Sequence, residues 1–186
     1  PAQPEVLFSY TPQSGGASTA LVKAADGDQA LEFTFRPSET GASISLSNLF
    51  LPEISPGEKA CLSFRMKLMP GNFSGNYIYF GIPNTAFYSL FLTQGRFRIN
   101  NRTSPNGITE VSGAPRLLPN QWYQIRMEVD HSGVTNRLRL YVDDTLCDSS
   151  DLTYSGAING ASGFAVTSYM RADGAAWFDD IVLEIR

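Results

Sequence analysis

The stretch Trp122–Asp130 reads WYQIRMEVD, and Arg137–Asp143, shortly after it, reads RLRLYVD. In both stretches apolar and polar side chains alternate residue by residue, which is the period of a β-strand with one buried face. The connecting segment His131–Asn136 (HSGVTN) is rich in turn residues. Together they predict an antiparallel β-hairpin. The side chains expected on its core side are Tyr123, Ile125, Met127, Val129, Leu138, Leu140 and Val142.

The same alternation recurs along the rest of the chain, and no stretch has the 3.6-residue period of a helix. The further segments with this pattern are Ala30–Phe35, Cys61–Leu68, Asn76–Ile82, Tyr88–Leu92, Arg96–Ile99, Gly163–Tyr169 and Trp177–Ile185. Glycine and proline stand in the gaps between them, as is typical of a sandwich or barrel of short strands. We therefore predict an all-β fold, an antiparallel two-sheet β-sandwich. Trp122 and Trp177 are expected to fill its core or a sheet edge.

The composition limits the classes of protein that the chain can represent. Its 186 residues suit a single domain, 1–186, with residues 1–5 as a tail. The net charge of −4 argues against nucleic acid as a partner. No apolar run approaches the roughly 18 residues of a membrane-spanning helix, so no membrane insertion is expected.

The hairpin resembles the central hairpin of concanavalin A-like lectin/glucanase domains, the laminin-G-like jelly rolls. In that family a W-x-x-I/V…V-D strand precedes an L-x-L-Y-V-D/N-G strand, and the matching runs here are Leu118–Ile125 and Arg137–Asp144. The ending Trp177–Ile181 (WFDDI) and the opening Asp26–Leu31 (DGDQAL) are also similar to the family. The resemblance implies a jelly roll of two curved antiparallel sheets, often with a carbohydrate site on the concave sheet. It also implies a secreted protein, extracellular or periplasmic.

The sequence lacks the catalytic strand of the hydrolases that share this fold. They carry E-x-D-x-x-E, which places paired carboxylates on one face for glycoside hydrolysis, and no such segment occurs here. The lyase signatures R-x-E-L and Q-I-H are absent as well. We therefore favour a protein that is not an enzyme. A polysaccharide lyase that uses a tyrosine and a cationic surface stays open as an alternative.

Tyrosine, arginine, lysine and glutamine side chains occupy the outward positions of several predicted strands. Such groups bind a glycan by ring stacking and by charge-assisted hydrogen bonds. The competing interpretation is a solvated strand face on which these cations pair with acidic neighbours. The residues predicted to bind a polysaccharide are Tyr77, Tyr79, Arg65, Lys67, Arg96, Arg98, Gln124 and Arg126.

Aspartates in loops and at strand ends are the candidate metal ligands. Calcium prefers carboxylate and carbonyl oxygens, and the predicted ligands of a structural calcium ion are Asp26, Asp28, Asp179 and Asp180. The alternative role of these aspartates is to cap backbone donors. Because Asp179 and Asp180 are adjacent, a regular strand would place them on opposite faces.

The two cysteines, Cys61 and Cys147, fit no zinc or redox motif. They are interpreted either as two buried free thiols or as one disulfide formed in an oxidising compartment.

These observations favour an extracellular, non-catalytic carbohydrate-binding module that recognises a polysaccharide on its concave sheet. The first alternative is a polysaccharide lyase acting on an anionic glycan. The second is a laminin-G-like module for protein binding and adhesion. The expected partners are a polysaccharide or other glycan and further domains of a larger secreted protein.

Overall fold

The computed structural model describes residues 8–13, 17–23, 29–35, 42–48, 57–70, 74–82, 86–93, 95–101, 108–131, 136–152, 163–168 and 174–186. These residues form strands and the turns that join them, with no helix among them. Within these ranges there is accordingly no apolar helix of membrane-spanning length. The all-β prediction is confirmed.

Two sheets of seven strands each account for all described strands. The first, called the β6 sheet, contains β1 (Phe8–Gln13), β4 (Ala42–Asn48), β6 (Ser74–Ile82), β7 (Ala86–Thr93), β8 (Arg96–Asn101), β9 (Ile108–Glu110) and β13 (Gly163–Ser168). The second, called the β5 sheet, contains β2 (Ala17–Lys23), β3 (Gln29–Phe35), β5 (Lys59–Leu68), β10 (Trp122–His131), β11 (Asn136–Val142), β12 (Thr145–Leu152) and β14 (Gly174–Ile185).

In each sheet, a strand from the end of the chain pairs with strands from its first half. The β6 sheet has the order β1-β4-β13-β6-β7-β8-β9, and the β5 sheet has the order β12-β11-β10-β5-β14-β3-β2. The late strands β13 and β14 therefore lie between strands from the first half of the chain, and all described pairs are antiparallel. Non-consecutive antiparallel neighbours in two packed sheets are the signature of a jelly roll.

The core side of the β5 sheet is the one that the alternation predicts. In β5, the side chains of Leu62, Phe64, Met66 and Leu68 are all buried, whereas the intervening residues are only half-buried. In the hairpin, the predicted core residues Tyr123, Ile125, Met127, Leu138, Leu140 and Val142 are buried, and the side chain of Val129 lies outside the described set. Each such side chain stabilises the fold by roughly 1.5–3 kcal/mol through the apolar surface that it buries.

The connection between β11 and β12 is a two-residue turn whose geometry explains its sequence. Asp143 and Asp144 have φ angles of 48° and 60°, and Val142 pairs directly with Thr145. Positive φ at both central positions defines a type I′ turn, which matches the twist of the strands that it joins. The Asp143 carboxylate also accepts a hydrogen bond from the Gln124 N–H at 2.8 Å.

The segment 111–121 connects the edge of the β6 sheet to β10 in the β5 sheet. The Leu117 N–H donates to the Gly95 carbonyl at 2.8 Å, and the Asn120 N–H donates to the Leu68 carbonyl at 2.8 Å. The first bond attaches the segment to the β6 sheet and the second attaches it to the β5 sheet. The segment thereby ties the β9 edge of one sheet to the neighbouring layer.

The two cysteines do not form a disulfide. Both thiols are free, with Cys61 buried and Cys147 partly exposed. Cys61 lies on β5 and Cys147 on β12, three strand positions apart in the same sheet, which is roughly 14 Å at the usual strand spacing. A disulfide requires Cα atoms within about 7 Å. The disulfide interpretation is therefore wrong.

Candidate functional site

The eight predicted binding residues divide between the two sheets. The β6 sheet contains Tyr77 and Tyr79 on β6 and Arg96 and Arg98 on β8, and the β5 sheet contains Arg65 and Lys67 on β5 and Gln124 and Arg126 on β10. The outer faces of two packed layers point in opposite directions. The residues therefore form two separate surfaces, of four residues each, on opposite sides of the sandwich.

On the outer face of the β5 sheet, Lys67 stands between two tryptophans. Its Nζ lies 3.8 Å from the ring centroid of Trp177 and 5.0 Å from that of Trp122. The two rings are 6.4 Å apart and tilted by 55°. The prediction that these tryptophans fill the core or a sheet edge is wrong, because each faces outward beside Lys67 from a strand inside the sheet.

The tryptophan cluster is also attached to β3 by a hydrogen bond. The Trp177 Nε1–H donates to the Glu32 carboxylate at 2.5 Å. Glu32 and Trp177 face one another in the register of β3 and β14. On this surface, Lys67 contacts both tryptophan rings, and the Glu32 carboxylate accepts the hydrogen bond of the Trp177 ring.

Arg65 meets two carboxylates at an irregularity in β14. Its Nη1 lies 3.6 Å from Asp179 and 3.8 Å from Asp180. The register of β14 shifts between Asp179 and Val182, and Asp180 has a φ of 48°. An extra residue of this kind is a β-bulge, which redirects side chains. The expectation that the two aspartates face opposite sides is wrong, because the bulge brings both carboxylates to Arg65.

The bulge bears directly on the predicted calcium ligands. Asp179 and Asp180 face a guanidinium, whose positive charge disfavours a cation at the same position. In the described ranges, no group of three His, Cys, Asp or Glu side chains is arranged to hold a metal ion. Asp26 and Asp28 lie outside the described residues, and a calcium ion there stays a prediction.

The remaining cations of this face are matched in the same way. Arg126 forms an ion pair with Glu128, lies 3.8 Å from Asp144, and stacks its guanidinium 3.8 Å from the centre of the Tyr141 ring. Gln124 lies opposite Arg65 in the register of β10 and β5. This surface is therefore the charge-paired strand face that the competing interpretation expects.

A small cavity at the other end of this face contains a thiol. Its volume is about 390 Å³, and its lining residues are Gly57, Lys59, Cys61, Glu128 and Arg186. Burial raises the pKa of the Cys61 thiol, with Arg186 opposing and Glu128 reinforcing the shift. A raised pKa keeps the thiol protonated at neutral pH and lowers its reactivity as a nucleophile.

The outer face of the β6 sheet is identified by the burial of β8. Phe97 is 1% exposed, whereas the next side chain, Arg98, is 39% exposed, so Arg98 lies on the outer face. Residues paired across antiparallel strands lie on the same face. The register aligns Arg98 with Phe91, Phe91 with Tyr77, and Arg98 with Glu110 on the other side. We call this line of residues, which continues to Thr167 on β13, the Arg98 row.

Two further predicted residues belong to this face. Tyr79 is two positions from Tyr77 along β6, and Arg96 is two positions from Arg98 along β8, and positions two apart in a strand share a face. The register pairs Tyr79 with Ser89 on β7 and with Ala165 on β13. Tyr77, Tyr79, Arg96 and Arg98 therefore share one face of one sheet.

Two arginines of β8 share the carboxylate of Glu110 on the edge strand β9, and we call this part of the face the β8 edge. Arg96 Nη1 lies 2.7 Å from a Glu110 oxygen, and Arg98 Nη2 lies 4.0 Å from the other. The Nε of Arg98 is buried and has no hydrogen-bond partner in the part of the chain that the structure describes. The sequence did not single out Glu110, which belongs to a strand of three residues with no pattern of its own.

The strand order and the register define the fold as an antiparallel two-sheet jelly roll, which is the architecture that the resemblance of the hairpin implies. No protein-family model matches the chain, and no curated protein matches its sequence.

Solved structures with the same fold cover nearly the whole chain. A cellulose-induced protein, Cip1, has a TM-score of 0.67 and 13% identity over 95% of this chain and 90% of its own. The carbohydrate-binding module CBM66 from Bacillus subtilis has a TM-score of 0.58 and 12% identity over 94% of each chain. The alginate lyase Aly36B, solved in complex with an alginate trisaccharide, has a TM-score of 0.58 and 12% identity over 91% of this chain and 86% of its own.

Proposed function

We propose that the chain is a non-catalytic, secreted module that binds a polysaccharide across the outer face of the β6 sheet. The observation that carries the proposal is the Arg98 row, because its register aligns Tyr77 with Arg98 across β7. Tyr79 extends the aromatic part of the face along β6. Sugar rings present apolar C–H faces to aromatic rings, while guanidinium groups donate hydrogen bonds to sugar oxygens.

The charge distribution favours this face over the opposite one. On the outer face of the β5 sheet, Arg65 meets two carboxylates and Lys67 is covered by two rings. At the β8 edge, two arginines have one carboxylate between them within the described ranges. A ligand that binds the β6 sheet therefore meets donors with spare capacity. The known structures of similar fold support the proposal, since one is a carbohydrate-binding module and another was solved with a bound oligosaccharide.

The test measures binding to a panel of soluble polysaccharides by affinity electrophoresis, followed by calorimetry on those that bind. Tyr77→Ala is expected to weaken binding roughly tenfold, equivalent to about 1.4 kcal/mol. The matched control is Tyr141→Ala, which removes a tyrosine from the outer face of the opposite sheet and is expected to leave binding unchanged. Absence of binding across neutral and acidic polysaccharides would contradict the proposal.

A lyase is the second candidate, and the same row favours it. A polysaccharide lyase cleaves its substrate by elimination. It needs a cationic side chain to neutralise the sugar carboxylate and a side chain such as tyrosine to transfer the proton. The Arg98 row places Tyr77 and Arg98 on one face. Incubation with uronic-acid polymers distinguishes the two functions, because a lyase generates unsaturated ends that absorb ultraviolet light and a binding module does not.

A further inference from the structure

We infer that the β8 edge selects a carboxylated polysaccharide, with Arg98 and Arg96 binding its carboxylate in competition with Glu110. This inference rests on the proposed function and assigns the class of ligand that the same face takes. Three observations support it. Two arginines share one carboxylate, Arg98 lies farther from that carboxylate than Arg96 does, and Arg98 is on the same face as the tyrosines.

The ratio of charges at the β8 edge is the reverse of that on the opposite face. In the part of the chain that the structure describes, Arg96 and Arg98 share the carboxylate of Glu110, whereas Arg65 meets both Asp179 and Asp180. Each guanidinium carries five N–H donors, and one carboxylate accepts only about four hydrogen bonds. Among the described residues, the edge therefore has a surplus of one positive charge and several donors.

Arg98 is the less committed member of the pair. Glu110 is held close by Arg96 at 2.7 Å but lies 4.0 Å from Arg98, beyond hydrogen-bond distance. The buried Nε of Arg98 has no acceptor among the described residues. A second carboxylate at the exposed part of the Arg98 side chain would complete the pairing that Glu110 supplies to Arg96. The Nε is closed to solvent and is not counted among the donors that a ligand reaches.

The register determines how a chain-like ligand reaches this edge. Tyr77 is two strands from Arg98, which is roughly 10 Å at the usual spacing. A sugar ring on Tyr77 and an acidic group on Arg98 therefore belong to different units of one polymer. Glu110 is paired with Arg98 in the register of β8 and β9. The protein's own carboxylate therefore lies at the end of the line that runs from Tyr77 to Arg98.

Glu110 has a predictable influence on affinity. Its negative charge repels an incoming carboxylate and occupies donors that the ligand needs, so its neutralisation is expected to strengthen binding of an acidic polymer. The opposite face contains a matched pair in Arg126 and Glu128, which are also joined by an ion pair on a strand face. This pair supplies control substitutions of identical chemistry.

The experiment compares one polyuronate with the same polymer after chemical reduction of its carboxyl groups, using calorimetry on the full chain. The polyuronate is expected to bind at least tenfold more tightly than the reduced polymer, with an affinity that falls as salt increases. R98Q is expected to lower polyuronate affinity about tenfold and to lower affinity for the reduced polymer by a clearly smaller factor, because only the polyuronate loses a charge pair. E110Q is expected to raise polyuronate affinity about threefold, whereas R126Q and E128Q change neither.

The results distinguish failure of the inference about the β8 edge from failure of the proposed polysaccharide binding. Equal binding of the two polymers would overturn the inference while leaving the proposed function intact. Equal losses in R98Q and R126Q would overturn the assignment to the β8 edge. If neither these polymers nor any other polysaccharide binds, the proposed function and the inference fall together.

Discussion

The Asp143 carboxylate accepts a hydrogen bond from the Gln124 N–H at 2.8 Å, and the Asp143 N–H donates to the Gln124 carbonyl at 2.9 Å. These two hydrogen bonds attach the β11–β12 turn to β10. Asp143 therefore both forms the turn and links it to a third strand. Asp143 also has a φ of 48°, a conformation that aspartate tolerates better than most residues with a Cβ atom.

Asp143→Ala is expected to lower the free energy of unfolding by about 1–3 kcal/mol. The loss combines a hydrogen bond worth about 0.5–1.5 kcal/mol with the cost of a positive φ for alanine. Denaturant titration measures the change. Asp143→Gly separates the two causes, because glycine accepts the φ angle and loses only the side-chain bond. An alanine variant as stable as the parent would contradict this role of the turn.

Gly95→Ala is expected to destabilise the fold by roughly 2–4 kcal/mol, from the steric overlap and the positive φ together. Gly95 has a φ of 75°, and a Cβ atom there would lie 2.4 Å from the Leu117 carbonyl oxygen, a backbone atom of the segment that bridges the sheets. The matched control is Gly57, which has a φ of 94° but no atom within 4 Å of the added carbon. Gly57→Ala therefore incurs only the conformational cost of roughly 1 kcal/mol. Equal thermal shifts for the two variants would contradict the steric explanation.

Lys67 and Trp177 are expected to show a coupling energy of about 0.5–1 kcal/mol in a double-mutant cycle, as for other partly exposed cation–π pairs. The physical reason is the 3.8 Å separation between Nζ and the ring centroid. The cycle uses Lys67→Met and Trp177→Leu and measures stability by denaturant unfolding. The control cycle combines Lys67→Met with Tyr141→Leu, whose ring instead contacts Arg126, and is expected to give no coupling. Coupling in the control but not in the test pair would show that the assignment is wrong.

The free energy of unfolding is expected to fall as pH rises above roughly 8.5, the ordinary pKa of a thiol, because of Cys61. Burial raises the pKa of this thiol in the folded chain. The unfolded chain therefore loses its thiol proton first, so stability present below the unfolded pKa is lost as pH rises toward the folded pKa. The loss is about 1.4 kcal/mol for each pH unit between the two pKa values.

Cys61→Ala isolates this contribution, since the difference in stability between parent and variant is expected to shift in favour of the variant as pH rises. Cys147→Ala provides the comparison, with a smaller effect because that thiol is only partly buried. Parallel stability curves for the parent and Cys61→Ala across alkaline pH would exclude the thiol as the cause.

The sequence predicted which side of β5 and of the β10–β11 hairpin is buried, but not which sheet contains each strand. Alternation in β5 correctly separates Leu62 and Phe64 from Arg65, because the period of two is a local property. Tyr77 and Arg65 are both outward on the same reasoning, yet they belong to opposite layers. Sheet membership is determined by pairing between strands that are distant in sequence, such as β14 and β5. The alternation within one strand does not indicate its pairing partner.

The bulge in β14 illustrates the second kind of information that alternation omits. Asp179 and Asp180 would face opposite sides of a regular strand, but the positive φ of Asp180 redirects its carboxylate to Arg65. Trp177, just before the bulge, faces outward for a different reason, because its core-side neighbours Ala176 and Phe178 are both fully buried. A large apolar side chain alone does not determine which face of a strand is buried.

The most direct test of the central claim is an NMR titration of the full chain with an acidic oligosaccharide, following backbone amide shifts strand by strand. Binding across the outer face of the β6 sheet predicts the largest shift changes in β6, β7 and β8, around Tyr77, Phe91 and Arg98, with β5, β10 and β14 little affected. Shift changes concentrated around Lys67, Trp122 and Trp177 would place the ligand on the opposite sheet and contradict the account.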